Sequence, residues 1–261
     1  MEIKNLHTVY FSATNTTRRV VRHIAAQMPG HKEEHNITGV TLETDIVMDS
    51  SDLLIVGMPV YSGRIPAIAL PVLSRFKGHD TPAVIVCVYG NRDYDDALLE
   101  LNDVVEANGF KVIAGGVFIA QHSIFPKIGF NRPDEKDLIL IKEFAENCRD
   151  LLAATPDIAL LPEITLKGNR PYKVPGSLPL HPKGNKDCTE CGTCVKLCPT
   201  QAIAPETPRK TDKDKCIACA RCITVCPVHA RQFGGVAYKM AGSMFLKSYS
   251  ARKEPTIFIN R

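Results

Sequence analysis

The first 154 residues alternate short apolar runs with amphipathic stretches, the pattern of strands buried on both faces and separated by helices. "LHTVYF" (6–11) reads as a strand that ends in the polar loop "SATNTT" (12–17). Val20, Val21, Ile24 and Met28 then recur at helical spacing and predict a helix over about 16–28. A weaker strand falls near 35–40, and "DLLIVGMPV" (52–60) is a strongly buried one, followed by a helix over about 67–76. "PAVIVCVYG" (82–90) predicts the next strand, with a helix over about 94–107, and "KVIAGGVFIA" (111–120) predicts the fifth. A last helix begins near Pro133, with Asp134, Glu135 and Asp137 at the positive end of its dipole, and runs to about Ala154. Five strands with intervening helices predict an α/β fold, a doubly wound parallel five-stranded sheet of order 2-1-3-4-5.

The pattern changes after this point. Residues 155–184 hold six prolines and few apolar runs, which predicts a semi-rigid connector laid over the surface. Residues 185–232 form a second, small unit, too short to bury much core of its own. The C-terminal segment, 233–261, carries Val236, Met240, Met244 and Phe245 at near-helical spacing, with Leu246 flanking. That stretch, together with "PTIFI" (255–259), is expected to pack at the seam between the two units.

Eight of the ten cysteines lie in two runs, "CTECGTCVKLCP" (188–199) and "CIACARCITVCP" (216–227), each spaced C-x2-C-x2-C-x3-C-P and 28 residues apart. Disulfides suit small secreted domains, and residues 1–20 lack the apolar core of a signal peptide. Zinc usually takes its ligands from two well-separated pairs rather than four cysteines within eleven residues. The spacing fits cubane iron–sulfur clusters, with three cysteines on one cluster and the fourth facing its neighbour. Cys188, Cys191, Cys194 and Cys226 are therefore assigned to one [4Fe–4S] cluster, and Cys216, Cys219, Cys222 and Cys198 to the other. Residues 185–232 resemble the bacterial two-cluster ferredoxin, a small α+β 2[4Fe–4S] domain, down to the small residues Gly192, Ala218 and Ala220 between ligands.

In sheets of this order, ligands bind beyond the carboxyl ends of the strands at the topological switch. The loop after the first strand offers Ser12, Ala13, Thr14, Asn15, Thr16 and Thr17, whose hydroxyls and backbone N–H groups can surround a phosphate. The loop after the third contributes Pro59, Val60, Tyr61, Ser62, Gly63 and Arg64, with Tyr61 as an aromatic face for a flat ring. The loop after the fourth contributes Tyr89, Gly90, Asn91, Arg92, Tyr94 and Asp95, with Tyr94 as a second aromatic. These segments resemble the phosphate loop and the two ring-flanking loops of a flavodoxin, although Asn15 stands where many flavodoxins have glycine. The whole chain resembles the flavodoxin–ferredoxin fusion family of anaerobic bacteria and archaea. The resemblance implies noncovalent FMN, two [4Fe–4S] clusters and electron transfer with a redox partner protein. His122, in "AQHSIF", falls at the same end of the sheet and reads as a hydrogen-bonded surface histidine. Cys87 and Cys148 alternate with apolar neighbours and read as small core residues.

Charge changes the picture only slightly. Residues 1–154 carry a net −5 and residues 183–261 a net +8. Clusters of about −2 each bring the loaded C-terminal half to roughly +4. With no recognition motif beside this charge, nucleic acid is not an expected partner. No apolar run reaches membrane-spanning length, so a cytoplasmic electron carrier without a membrane span is expected, in a reducing compartment. No residue stands out as a general acid or base, and none is assigned as catalytic. Flavin-dependent reduction of a small organic substrate is the alternative, with "QHSIFPKIGF" (121–130) as its lid. A homodimer in which flavin and cluster meet across chains is a further arrangement the sequence allows.

Overall fold

The computed structural model describes residues 1–176 and 179–260. Ser177 and Leu178 of the predicted connector, and Arg261 of the C-terminal segment, lie outside the described residues. In chain order the first unit contains β1 (Asn5–Tyr10), α1 (Thr16–Ala25), β2 (His31–Asn36), β3 (Ile46–Met48), β4 (Asp52–Pro59), α2 (Leu70–Leu73), β5 (Phe76–Gly78), β6 (Thr81–Tyr89), α3 (Ala97–Ala107), β7 (Phe110–Ile119) and α4 (Glu135–Ala154). The second contains β8 (Lys183–Gly184), α5 (Thr193–Lys196), α6 (Arg221–Thr224) and β9 (Arg231–Gln232), followed by α7 (Val236–Tyr249) and β10 (Thr256–Ile259).

The main sheet runs β2-β1-β4-β6-β7-β10. Its five parallel strands, counted along the chain, stand in the order 2-1-3-4-5. One apolar layer covers the face under α1 and α4, with Val20, Val21, Ile24, Ile141, Phe144 and Cys148 fully buried. The other face packs against α3 and the α2–β5 region, through Leu98, Leu101, Leu73 and Phe76. Both faces being covered explains why β4 and β6 read as unbroken apolar runs rather than alternating ones. β2 is the exposed edge, and its sequence HKEEHN places charges where another chain could otherwise pair. This lack of apolar residues is why the strand was expected several positions too late.

The sheet has six strands, not five. β10 lies antiparallel on β7, Thr256 opposite Val117 and Ile259 opposite Ala114, so "PTIFI" closes the far edge of the first sheet instead of crossing the seam. A four-residue strand gives too short a period to reveal this from sequence. A two-stranded parallel sheet, β3 with β5, was also not anticipated, for the same reason. α7 packs at the seam through Phe245 and Leu246 of the expected stripe, while the rest of that stripe faces outward. Tyr238, Ala241, Phe245, Leu246 and Tyr249 join Ile124, Phe125, Ala218, Ala220 and Phe233, while Val236, Met240 and Met244 are exposed. Residues 121–130 are consequently held beneath α7 rather than standing free as a flap, with Tyr238 Oη donating to the Ile124 carbonyl (2.9 Å).

The connector is strapped to the first unit by carboxylates. Asp96 accepts from the backbone N–H groups of Asn169 (2.9 Å) and Lys173 (2.6 Å), and Asp103 pairs with Arg170 (2.5 Å). The return path to β10 is clamped where α4 begins. Asp134 and Asp137 form a reciprocal capping box. Arg132 pairs with Asp137 (2.5 Å) in the interior and donates to the Lys253 carbonyl (2.8 Å). Arg252 bridges Asp134 (2.6 Å) and Asp137 (3.0 Å). The Arg252 guanidinium holds the Asp134 carboxyl well below the usual carboxylate range. Its contribution to stability is therefore present above the unfolded carboxylate value and fades as pH falls below about 4. Replacing Arg132 by leucine leaves a buried carboxylate short of its partner and is expected to cost about 3–5 kcal/mol, read as a lower urea midpoint by circular dichroism. An unchanged midpoint contradicts the clamp.

Candidate functional site

The carboxyl ends of β1, β4, β6 and β7 bring four loops together. In the first, Asn15 adopts φ 65°, a left-handed conformation that asparagine tolerates and glycine commonly supplies. This accounts for the residue standing at the glycine position. Asn15 makes no side-chain cap to α1; with the Arg18 N–H taken by Ser12, the Thr16 and Thr17 N–H groups are the ones left to an outside acceptor. Ser12 is buried: its N–H donates to Thr38 Oγ1 (2.7 Å), and its Oγ accepts from the Arg18 N–H (3.1 Å). Thr14 and Thr16 hydroxyls, 3.3 Å apart, have only each other. Ala13 and Thr17 are buried in the core beneath the loop. The mouth of the loop is thus Thr14, Asn15 and Thr16.

The second loop is a tight turn closed by Tyr61 and Arg64, which exchange backbone bonds of 2.8 and 3.1 Å. Gly63, at φ 87°, lies so close to Asp95 that a Cβ would sit 2.3 Å from its carboxylate. The turn therefore seals against the third loop. Tyr61 packs edge-on to Phe11, and Pro59 and Val60 lead into the turn. The Arg64 guanidinium faces inward to Glu100 (2.6 and 2.7 Å), with Tyr172 stacked on it, and does not face the loop mouth. Ser62 remains exposed.

The third loop departs most from the sequence reading. Tyr89 and Tyr94 are both buried and pack against each other at 5.9 Å, so Tyr94 does not stand opposite Tyr61 as a second flanking ring. Lys167 of the connector covers the Tyr94 ring, its Nζ 4.8 Å from the centroid. Asn91 is buried and donates to the carbonyls of Tyr249 and Ala251 (both 2.7 Å), tying the loop to the end of α7. Arg92 pairs with Asp95, which also receives Lys173 (3.0 Å). Gly90 accommodates His122, whose ring a Cβ there would meet at 2.6 Å. His122 Nδ1 accepts from the Ile124 and Phe125 N–H groups, and burial pushes its pKa down to about 4 with Arg92 adding to the effect. It is neutral at physiological pH and embedded against Phe125 and Phe245 rather than a surface group.

The two cysteine runs fold as copies of each other. Glu190 and Ala218, Gly192 and Ala220, and Gln201 and His229 are pairs 28 residues apart, and all six have positive φ. The same offset relates the Ala202 N–H bond to Cys198 Sγ (3.3 Å) and the Ala230 N–H bond to Cys226 Sγ (3.2 Å). Cys188, Cys191, Cys194 and Cys226 line one concavity. In the other set Cys198 is among the groups acting on Cys216, Cys219 and Cys222. Burial, with neighbouring thiols adding to it, pushes Cys219 up to about 12 and Cys222 up to about 11. Bare thiols crowded in this way stay protonated, whereas bound iron holds them as thiolates. The donor sets fit iron–sulfur clusters. Cys87 and Cys148 lie apart from both sets, fully buried in the first unit, with burial raising their thiols.

The two units meet over the loops of the sheet. Cys219 packs in the same apolar cluster as Phe11, Ala13 and Tyr61, and the Tyr61 hydroxyl is pushed well above its usual value by burial and then by Cys219. Arg221, two residues on, donates from Nη1 to the carbonyls of Ser12 and Ala13 (both 3.4 Å). Its Nε is buried without a protein acceptor. Pro199 rests on the loop after β2, where a Cβ on Gly39 would lie 3.0 Å from the proline Cα. Sequence reasoning missed Arg221 because nothing in the spacing shows which side of a cysteine run faces a neighbour. No helix is long and apolar enough to cross a membrane among the described residues.

Residues 187–230 match the family model of the 4Fe-4S dicluster domain. No curated protein matches the chain. Among solved structures, similarity extends to a flavodoxin from the domain Archaea at 12% identity, over 57% of this chain and 99% of that one, with a TM-score of 0.42. A Streptococcus pneumoniae TIGR4 flavodoxin is similar at 17% identity, over 58% and 99%, with a TM-score of 0.41. The corresponding values for a Fusobacterium nucleatum flavodoxin bound to flavin mononucleotide are 16%, 57%, 99% and 0.41. The strand order, rather than these likenesses, carries the flavodoxin-like fold of the first unit; the second is a ferredoxin-type 4Fe–4S domain. Replacing Cys198 by serine, although it lies in the first run, is expected to disturb the centre held by Cys216, Cys219 and Cys222. Iron content and the EPR spectrum check this; disturbance confined to the Cys188 set contradicts the crossed pairing.

Proposed function

We propose that this protein is an electron-transfer flavoprotein carrying two [4Fe–4S] clusters and one FMN in series. The observation that carries the reading is the contact of Cys219 and Arg221 with the Ser12–Ala13 and Tyr61 loops. It makes the set Cys216, Cys219, Cys222 and Cys198 the inner one. Cys191 of the other set is exposed, which suits an outer centre facing a redox partner protein. FMN accepts one electron or two, while each cluster passes one, so the series joins a one-electron donor to an acceptor of either kind.

The chain's own residues hold and place these groups. The first turn of α1 with Thr14, Asn15 and Thr16 receives the phosphate, and the uncapped helix end supplies N–H groups aimed at an anion. Tyr61 gives the flat ring one apolar face. Arg221 adds a cation at the loop that the sequence reading did not require. The Ala202 and Ala230 N–H groups donate to ligand sulfurs, one of the levers on cluster potential. The inward packing of residues 121–130 beneath α7 gives no support to a lid over the ring, and the carrier reading stands ahead of a small-substrate reductase.

Anaerobic purification is expected to give about eight irons and one FMN per chain. Two zincs in place of iron contradict the reading. Substituting Thr14 and Thr16 together by alanine is expected to weaken FMN binding about tenfold while iron stays constant, measured by flavin fluorescence and iron assay. Unchanged FMN affinity counts against this loop as the phosphate site.

A further inference from the structure

The repeat breaks its own symmetry at one interior position. Ile203 and Arg231 are 28 residues apart and follow the paired alanines Ala202 and Ala230, all buried. One half places an aliphatic side chain there, and the other places a guanidinium that is 1% exposed. A buried cation is strongly unfavourable unless an anion or a full set of acceptors faces it. Arg231 Nη1 donates to the carbonyls of Pro208 (2.6 Å) and Lys210 (3.3 Å), and Nη2 to the Pro182 carbonyl (2.8 Å) and the Thr211 hydroxyl. All four acceptors are neutral. Nε–H is buried and has no hydrogen-bond acceptor among the described residues.

The side chain also reaches the sulfur donors. Arg231 lines the concavity formed by Cys188, Cys191, Cys194 and Cys226. Cys194 of this set packs with Cys222 of the other in one buried cluster, and the Arg231 guanidinium reaches Cys222 as well. The side chain thus lies beside both donor sets, with its charge unmatched by any carboxylate among its hydrogen-bond partners.

We propose that Arg231 is the counter-charge shared by the two iron–sulfur centres, and that it raises their reduction potentials; the inference rests on the two-cluster reading above. A one-electron reduction by a low-potential donor adds one negative charge to a centre and makes or breaks no bond. A fixed buried cation stabilises the more negative state, so the electron is taken up at higher potential. Arg231 would face the bound centre beside its cysteine ligands without ligating iron, and its role is electrostatic.

The test is an EPR-monitored redox titration of the anaerobically purified full chain and its Arg231→Gln and Arg231→Lys variants, with iron assayed in each. With iron at the wild-type level, Arg231→Gln is expected to shift both midpoints to lower potential. Arg231→Lys, which keeps the charge, is expected to stay near wild type. Unchanged midpoints in iron-replete Arg231→Gln overturn the inference and leave the two-cluster reading intact. An equal downward shift in both variants also overturns it, because packing rather than charge would then set the potential. If Arg231→Gln fails to load iron, Arg231→Met takes its place under the same criteria. Absence of iron from the wild-type chain overturns the underlying reading itself.

Discussion

A small domain with eight closely spaced thiols has too little apolar interior to position itself, and the whole arrangement depends on what its second cysteine loop rests against. That loop presents Ala218 and Ala220, both left-handed, to an apolar seam made by Ile124, Phe125, Phe233 and α7. An alanine in the left-handed region is strained by about 1–2 kcal/mol, and glycine would relieve it. Here the methyl groups fill the seam, so packing offsets the strain and fixes the loop. Cys219 and Arg221 follow directly on Ala218 and Ala220 and are carried onto the Tyr61 and Ser12–Ala13 loops.

The C-terminal segment makes this docking durable. α7 covers the seam, Asn91 ties the end of α7 to the third loop, Arg252 clamps the start of α4, and β10 joins the sheet. The chain therefore leaves the first unit, forms the second, and returns to close the first. Carboxylates of the acidic first unit do much of the fastening: Asp96 and Asp103 hold the connector, and Asp134 and Asp137 hold the return path. The charge difference between the halves is thus used in particular ion pairs, in addition to any long-range attraction.

Much of the fold was legible because its signals are periodic. The long buried strands β4, β6 and β7 and the helices α1 and α4 announce themselves through apolar spacing, and the two cysteine runs through an unmistakable interval. The short strands β3, β5 and β10 did not, since three or four residues cannot establish a period. α7 showed a stripe, Val236, Met240, Met244 and Phe245 with Leu246 flanking, but spacing does not say which edge of it is covered, and the aromatic edge with Phe245 and Leu246 took the seam. The same limit applies to the loops. Sequence placed Tyr94 and Arg64 at the right end of the sheet, while burial against Tyr89 and pairing with Glu100 turned both side chains away from its mouth. Arg231 is visible only when the two halves of the repeat are compared in three dimensions.

In the proposed function, iron held by one half of the chain exchanges electrons with flavin held by the other, within a single molecule. Stopped-flow reduction of the anaerobic holoprotein by a substoichiometric low-potential donor tests it most directly, with cluster and flavin absorbance followed separately across a wide range of protein concentration. The account predicts that flavin reduction follows cluster reduction at a rate independent of protein concentration. A rate proportional to concentration, or a flavin that stays oxidised beside reduced clusters, contradicts it.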